Sequence, residues 1–253
     1  MKRADPSIKL ISSFPTRSLL AGAGTQFDYL APHHYEIADL VEEDRSFRGL
    51  EKWIEENANN KETRIAVTEW NTTAGDFGLT RGTLQTLGNA LGVARYVNLM
   101  QRHADSVEIA NRSNFGDSFG SGFLLTGPGW IYESPAYYAQ SLYARAAGTY
   151  PLHIERSSAL TWQLQEPDIS ATLSPDGRTL RIYAVNSTLE TMFVHFSLAG
   201  AGSAVGGTVY TLQDQKHAVT SEVMNSRDEP RRVAVSSRRR KPAAPRSTIA
   251  FRR

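Results

Sequence analysis

The chain has 253 residues, of which 40% are hydrophobic and 21% charged, and its formal net charge at pH 7 is +2. It contains no cysteine, which excludes disulfide bridges and thiolate chemistry. It has neither an apolar run long enough to span a bilayer nor a basic and then apolar N-terminal signal. We therefore expect a globular protein of the cytoplasm, with secretion left open.

The charge is unevenly distributed along the chain. Residues 231–253 carry nine Lys or Arg residues and no acid. Such a tail can bind nucleic acid or an anionic surface, but before Phe251 it has no aromatic side chain on which a base could stack. We interpret it as a solvated terminus, and we expect neither a nucleic-acid nor a membrane partner.

Strand and helix signals alternate through the first part of the chain. The predicted strands cover residues 8–11, 27–35, 64–69 and 105–110. The predicted helices cover 16–23, 47–59 (with Ser46 as the N-cap), 83–103 and 135–147. We expect an acidic loop over 36–44 and long glycine-rich loops over 72–82 and 111–133.

This alternation is typical of parallel βα units with right-handed crossovers. Four units fit either a small open sheet or half of an eight-stranded barrel. After Tyr150 the pattern changes to short apolar segments between turn residues, at 160–164, 169–173, 180–185, 192–198 and 205–212. Pro175-Asp176-Gly177 predicts a hairpin. We predict an α/β domain over 1–150 and an all-β sandwich over 151–253.

The segment 64–71, Arg-Ile-Ala-Val-Thr-Glu-Trp-Asn, contains the first candidate for chemistry. A short apolar run bounded by polar residues indicates a strand that is buried on both faces. Glu69 ends that strand, where parallel α/β folds place their active sites. An ordinary glutamate at the start of a loop is the alternative interpretation.

The sequence gives no indication of a cofactor. His33 and His34 are adjacent on a predicted strand and should point to opposite faces, and no other histidine lies at a chelating spacing. The glycines between Gly116 and Gly129 lack the lysine and the strand–helix setting of a phosphate loop. We therefore expect no catalytic metal and no nucleotide.

Several stretches together resemble the C-terminal half of the α-L-arabinofuranosidases of glycoside hydrolase family 51. They cover nearly the whole chain, from Arg-Ala-Asp-Pro-Ser-Ile-Lys-Leu-Ile at 3–11 to Glu-Pro-Arg-Arg-Val at 229–233. Between these lie Asp-Tyr at 28–29, His-His-Tyr at 33–35, Thr-Glu-Trp-Asn at 68–71, Leu-Met-Gln-Arg-His-Ala-Asp at 99–105, Ile-Ala-Asn at 109–111, Ser-Pro-Ala-Tyr-Tyr at 134–138 and Asn-Ser at 225–226.

The resemblance implies half of a (β/α)₈ barrel, with four βα units, followed by a β-sandwich. It also implies retaining hydrolysis of terminal arabinofuranosyl groups from plant cell-wall polysaccharides. By the same resemblance Glu69 would be the nucleophile, His33 and Tyr35 would contact the sugar, Asn114 would be a polar substrate-binding side chain, and Trp70 would shape the site.

The resemblance also predicts a gap in the catalytic machinery. Retaining hydrolysis uses two carboxyl groups about 5–5.5 Å apart, and the family's acid/base glutamate follows the fourth barrel strand. These residues begin at the segment that leads into the fifth strand. A substitute acid could come from the acidic cluster of Glu36, Asp39, Glu42 and Glu43, or from a partner chain; otherwise the cluster is a solvated loop.

A half-barrel would leave an apolar face open, and such faces usually mark an interface. We therefore expect a homo-oligomer, or completion of the barrel by a separate N-terminal half. Besides arabinofuranosidase activity, two other functions fit the sequence. One is an endoglucanase or xylosidase with a shallower cleft lined by exposed aromatic residues, of which Trp130 is the best candidate. The other is a non-catalytic carbohydrate-binding or truncated protein.

Overall fold

A computed structural model of the chain describes residues 2–35, 37, 40–57, 62–72, 83–117, 121–145, 150–155, 167–197, 205–243 and 246–251, with the backbone alone at 205, 241–243 and 246–251. The helices are α1 (Arg17–Ala23), α2 (Leu40–Asn57), α3 (Leu87–Arg102) and α4 (Pro135–Ala144). The strands are β1 (Tyr29–Leu30), β2 (His33–His34), β3 (Arg64–Trp70), β4 (Val107–Arg112), β5 (Leu124–Gly127), β6 (Trp130–Glu133), β7 (Tyr150–Pro151), β8 (Asp168–Leu173), β9 (Leu180–Val185), β10 (Met192–Ser197), β11 (Val205–Asp214), β12 (Val233–Ala243) and β13 (Arg246–Phe251).

A parallel sheet with β3 at its centre forms the core of the first part. Ile65, Ala66 and Val67 are fully buried, as the uninterrupted apolar run predicts. β1 and β2 pair in succession along one side of β3, and β4 pairs along the other side. All three pairings are parallel, so the carboxyl ends of these strands meet at one edge of the sheet.

Two of the predicted strands are shorter than expected. The strand predicted over 27–35 is split into β1 and β2 at Ala31-Pro32, because proline has no N–H to donate to a ladder. The strand predicted over 8–11 is reduced to a parallel bridge between Ile11 and Tyr29. This bridge still places residues 8–11 next to β1.

Helix α3 covers one face of the sheet. It begins at Leu87, four residues later than predicted, because Thr86 is its N-cap and accepts a hydrogen bond from the Asn89 N–H. Its buried residues include Val93, Tyr96 and Leu99. They join the hydrophobic cluster that also contains Ile65, Val67 and Trp70 on β3.

The start of helix α2 was predicted wrongly. The helix begins at Leu40, so residues 40–44 are helical and Ser46 lies inside the helix rather than at its cap. Glu42 and Glu43 stand in the first turn, where the positive end of the helix dipole favours acidic side chains. The remaining positions of the predicted acidic loop, except Ile37, lie outside the described residues.

The second part consists of antiparallel strands. β8 and β9 form the hairpin that Pro175-Asp176-Gly177 predicts, and Gly177 has a φ of 68°. β10 pairs with β13, and β11 pairs with β12. The strand predicted over 160–164 lies outside the described residues. The basic tail, interpreted as a solvated terminus, forms β12 and β13 over 233–243 and 246–251, and residues 236–240 of β12 are exposed.

The glycine-rich loop after β4 contains a hairpin that was not predicted. β5 and β6 pair antiparallel through a turn in which Gly129 has a φ of 76°. The Trp130 ring lies so close to Gly127 that a Cβ there would meet it at 2.3 Å. Trp130 is therefore half-buried on the hairpin and stacked with Tyr132, with ring centroids 5.5 Å apart.

Contacts join the two parts across residue 150. Asn98 and Arg102 on α3 donate hydrogen bonds to the Asp168 carboxylate at 2.7 and 3.1 Å. Tyr143 stacks on Tyr183 with ring centroids 4.3 Å apart. The domain boundary near 150 stays a prediction. None of the helices described is long and apolar enough to cross a membrane.

Candidate active site

Glu69 lies at the carboxyl end of β3, at the edge where the parallel strands end together. Its Cα pairs in register with that of His33 on β2, so the two side chains project from the same face of the sheet. The Glu69 side chain is 49% exposed, which leaves the carboxylate accessible to a ligand.

Two side chains from the end of β2 contact the Glu69 carboxylate. The Tyr35 hydroxyl donates a hydrogen bond to Glu69 Oε2 at 2.6 Å. His33 Nδ1 lies 3.6 Å from the same oxygen, and the other ring nitrogen is 3.0 Å from Thr68 Oγ1. Burial, together with the hydrogen bond to Glu69, raises the pKa of Tyr35. Tyr35 therefore stays a phenol at neutral pH and can donate to the carboxylate.

The neighbouring residues, His34 and Trp70, lie on the opposite face of the sheet. His34 is buried, with Nδ1 at 2.6 Å from the Tyr96 hydroxyl and Nε2 at 2.9 Å from Ser46 Oγ. The prediction that the two histidines point to opposite faces is therefore confirmed. Trp70 is 1% exposed and packs against Tyr96, with ring centroids 4.9 Å apart. Trp70 thus supports the back of the strand and does not lie beside the Glu69 carboxylate.

The residues after β4 approach from the other side of Glu69. The Ser113 N–H donates to the Trp70 carbonyl at 3.0 Å, and its hydroxyl lies 3.4 Å from that of Tyr35. Asn114 is exposed, and its amide nitrogen donates to Ser121 Oγ at 3.0 Å. Ser113 was not predicted as a site residue, although the polar run 111–114 after a strand is a signal for this position.

Asn71 and Arg112 hold the ends of the three strands together. The Asn71 N–H donates to the His34 carbonyl at 3.0 Å, and its side-chain amide donates to the Ser113 carbonyl. Arg112 Nη2 donates to Asn71 Oδ1 at 3.3 Å, and its guanidinium carbon lies 4.5 Å from the Phe123 ring centroid. Burial lowers the pKa of Arg112 to about 10. This network fixes the backbone on which Tyr35 and Glu69 stand.

Of the candidate substitute acids, the two that the structure describes, Glu42 and Glu43, are not brought to Glu69. Glu42 is paired with Arg45 on the exposed side of α2. Glu43 is buried in α2 and acts electrostatically on Tyr96, on the face of the sheet opposite Glu69. Glu36 and Asp39 lie outside the described residues. In the part of the chain that the structure describes, no carboxylate is among the contacts of Glu69.

The arrangement offers an accessible carboxylate, a phenol that donates to it and a histidine nearby. Such a group can act as a nucleophile or as a base. Among the described residues, no group of three or more His, Asp or Glu side chains is arranged to hold a metal ion.

Comparison with solved structures finds the same fold in α-L-arabinofuranosidases. The enzyme from Thermotoga maritima, determined as an arabinose complex, has a TM-score of 0.79 and 21% identity, over 99% of this chain and 57% of its own. The thermostable family 51 enzyme from Thermotoga petrophila has a TM-score of 0.80 and 22% identity over the same shares. The family 51 enzyme from Xanthomonas axonopodis pv. citri has a TM-score of 0.76 and 19% identity, over 96% of this chain and 55% of its own.

This chain thus spans little more than half the length of these enzymes. Comparison with curated protein sequences gives no match. The family model described as the alpha-L-arabinofuranosidase C-terminal domain matches residues 68–251. That match covers most of the chain, and it confirms the resemblance to the C-terminal half of these enzymes. The chain therefore belongs to the alpha-L-arabinofuranosidase C-terminal domain family.

Proposed function

We propose that the protein is a glycoside hydrolase that removes terminal α-L-arabinofuranosyl groups, with Glu69 as the nucleophile. The contact between Tyr35 and Glu69 carries this proposal. The phenol at 2.6 Å orients Oε2, and none of the described residues hydrogen-bonds Oε1. Oε1 can therefore attack the anomeric carbon and form a glycosyl–enzyme ester as the glycosidic C–O bond breaks, the leaving oxygen takes a proton from the acid/base, and water then hydrolyses the ester. His33, Tyr35 and Asn114 would bind the sugar hydroxyls. The arabinose complex of the Thermotoga maritima enzyme supports this choice of sugar.

The architecture that supports this activity is half of a (β/α)₈ barrel over 1–150, followed by a β-sandwich over 151–253. A retaining mechanism requires a second carboxyl group about 5–5.5 Å from the first. The resemblance places the family's acid/base glutamate after the fourth barrel strand, which these residues do not include, so we propose that a second copy of the chain or an N-terminal half of the barrel supplies it. Either would complete the barrel around the carboxyl ends of the strands.

The test is hydrolysis of an aryl α-L-arabinofuranoside with a good leaving group, which needs little help from a general acid. We expect the parent chain to release the aryl alcohol. Glu69→Gln should lower the rate on the order of 10³-fold, because the amide oxygen is a poor nucleophile. Glu42→Gln, on the exposed side of α2, is the matched control and should keep the parent rate. A Glu69→Gln protein as active as the parent would refute the assignment.

A second candidate is carbohydrate binding without turnover. The contacts of Glu69 with the described residues include no carboxylate, and this favours the second candidate. A panel of aryl arabinofuranoside, aryl xyloside and soluble cellulose separates the candidates. Binding of arabinan with no release from any substrate would select this function, whereas turnover of the xyloside or of cellulose alone would indicate a shifted hydrolase.

A further inference from the structure

Phe14 occupies an unusual position, on the side of the sheet where the carboxyl ends of the strands and Glu69 lie. It follows the Ile11 bridge, and its N–H donates to the Ala31 carbonyl at 3.2 Å, next to β2. Its backbone is left-handed, with a φ of 47°. This conformation costs a residue other than glycine on the order of 1 kcal/mol. The position therefore keeps a phenylalanine where glycine would fit without strain.

The Phe14 ring contributes little to the core. Its exposed fraction is 60%, so folding leaves most of its apolar surface in water. The ring packs against the His33 ring, with centroids 4.2 Å apart and planes tilted by 56°. His33 in turn lies 3.6 Å from the Glu69 carboxylate. The exposed ring thus stands one side chain away from the proposed nucleophile.

We propose that Phe14 is a sugar-stacking residue of this site, which covers the apolar C–H face of a pentose unit bound beside Glu69. The inference rests on the proposed function and adds a binding contact to it. Polar groups from β2, β3 and the segment after β4 would take the sugar hydroxyls, while an uncharged ring without hydrogen-bonding groups suits the C–H face. Neutral furanosyl units are the ligand class that this combination favours, because a uronate would place a charge where the site offers an apolar surface.

The test measures binding of an arabino-oligosaccharide by calorimetry, in Glu69→Gln protein so that nothing is turned over. Adding Phe14→Gly should weaken binding about five- to tenfold, because a ring that covers about 40–50 Å² of apolar surface is lost. Phe14→Trp keeps an aromatic face and should bind as the parent does. Phe193→Ala is the matched control, since Phe193 is 69% exposed on β10 and should not affect binding.

Thermal unfolding of the same proteins distinguishes a binding role from a structural role. Phe14→Gly should not lower the unfolding midpoint, because glycine adopts a φ of 47° without strain. Unchanged binding in Phe14→Gly would overturn the inference and leave the proposed function intact. A lowered midpoint with loss of binding in both Gly and Trp variants would also overturn it, because the ring would then be structural. If the parent binds no arabinoside, the proposed function fails and the stacking role with it.

Discussion

His34 shows how one residue supports the site from behind. Its ring is buried between Tyr96 and Ser46, with hydrogen bonds to both hydroxyls. Burial, reinforced by the nearby His33, lowers the pKa of His34 to about 4. Its backbone carbonyl accepts the Asn71 N–H at 3.0 Å. Because His34 directly precedes Tyr35, the buried histidine anchors the segment that carries the phenol contacting Glu69.

This burial predicts a pH dependence of stability. The folded-state pKa of His34 is about 4, below the unfolded value of about 6.5. The unfolded chain therefore binds the extra proton first, and the free energy of unfolding should fall as the pH decreases from about 6.5 to 4, by about 3 kcal/mol from this residue alone. Urea denaturation of the parent and of His34→Gln measures the effect.

The difference in free energy of unfolding between the parent and His34→Gln should become smaller as the pH decreases from about 6.5 to 4. The reason is that glutamine keeps hydrogen-bonding groups but does not titrate. The exposed His153 provides the control, because His153→Gln should follow the parent curve throughout. Parallel curves for the parent and for His34→Gln would contradict the prediction.

The residues of the site differ in how far the sequence predicts them. Glu69 follows from a buried strand that ends in an acid, a local pattern that periodicity detects. The placement of His33 and His34 on opposite faces follows from strand alternation. Ser113 and Phe14 were not predicted as site residues because they join the site through contacts with Tyr35 and His33, from other segments of the chain. Separate segments leave no periodic signal of such contacts.

At the scale of elements, a buried carboxylate stabilises the pairing of β11 with β12. Asp214 is 4% exposed and accepts hydrogen bonds from the N–H groups of Lys216 and Ala218, at 3.2 and 2.6 Å. The Arg232 guanidinium contacts both carboxylate oxygens. This contact with Arg232 is the main reason that the pKa of Asp214 is lowered to about 2. The ion pair between Asp214 and Arg232 lies at the end of the two-stranded sheet where β11 ends and β12 begins.

Replacing this carboxylate should destabilise the protein. Asp214→Asn removes the negative charge beside Arg232, and we expect the free energy of unfolding at pH 7 to fall by about 2–3 kcal/mol. The carboxylate stabilises the fold above its unfolded pKa of about 3.8, and its contribution is lost as the pH decreases towards 2. The difference in free energy of unfolding between the parent and Asp214→Asn should accordingly become smaller as the pH decreases. Asp176→Asn, at the exposed β8–β9 turn, is the control, and equal stability of Asp214→Asn and the parent at pH 7 would contradict the prediction.

The types of most elements are predictable from the sequence, but several boundaries are not. Local signals agree with three elements: an apolar run with β3, a cap with α1 and a turn with the β8–β9 hairpin. The signal for α2 misleads, because its acidic first turn resembles a loop until the helix dipole is considered. β12 was missed because its distal half is rich in arginine and exposed. Its pairing partner, β11, lies about twenty residues earlier and therefore leaves no local pattern.

At the scale of the whole molecule, the parallel sheet has an open edge at residues 8–11. Ile11 there is 46% exposed. In the described chain these residues pair on one side only, through the bridge between Ile11 and Tyr29 of β1. Open apolar edges promote pairing with another chain. We therefore predict that the protein self-associates, with a sedimentation mass of about 56 kDa, twice the 28.0 kDa of one chain.

A charge at this edge should disrupt the association. We expect Ile11→Glu to reduce the mass to that of one chain at the same concentration, because like charges would face each other across the interface and lose their hydration. Val219→Glu is the control, since Val219 is 75% exposed in the second part of the chain and should leave the mass unchanged. A folded parent protein that stays monomeric would rule out the interface.

The start of α3 has a consequence for the order in which the chain can mature on the ribosome. Its first two N–H groups, from Leu87 and Gly88, donate to the carbonyls of Val223 and Ser221, both at 2.8 Å. Gly88 permits this approach, since a Cβ there would lie 3.2 Å from Ser221 Oγ. The helix that packs behind β3 therefore lacks these two partners until more than 130 further residues have been translated. A nascent chain stalled before Ser221 would expose the amino end of this helix to water.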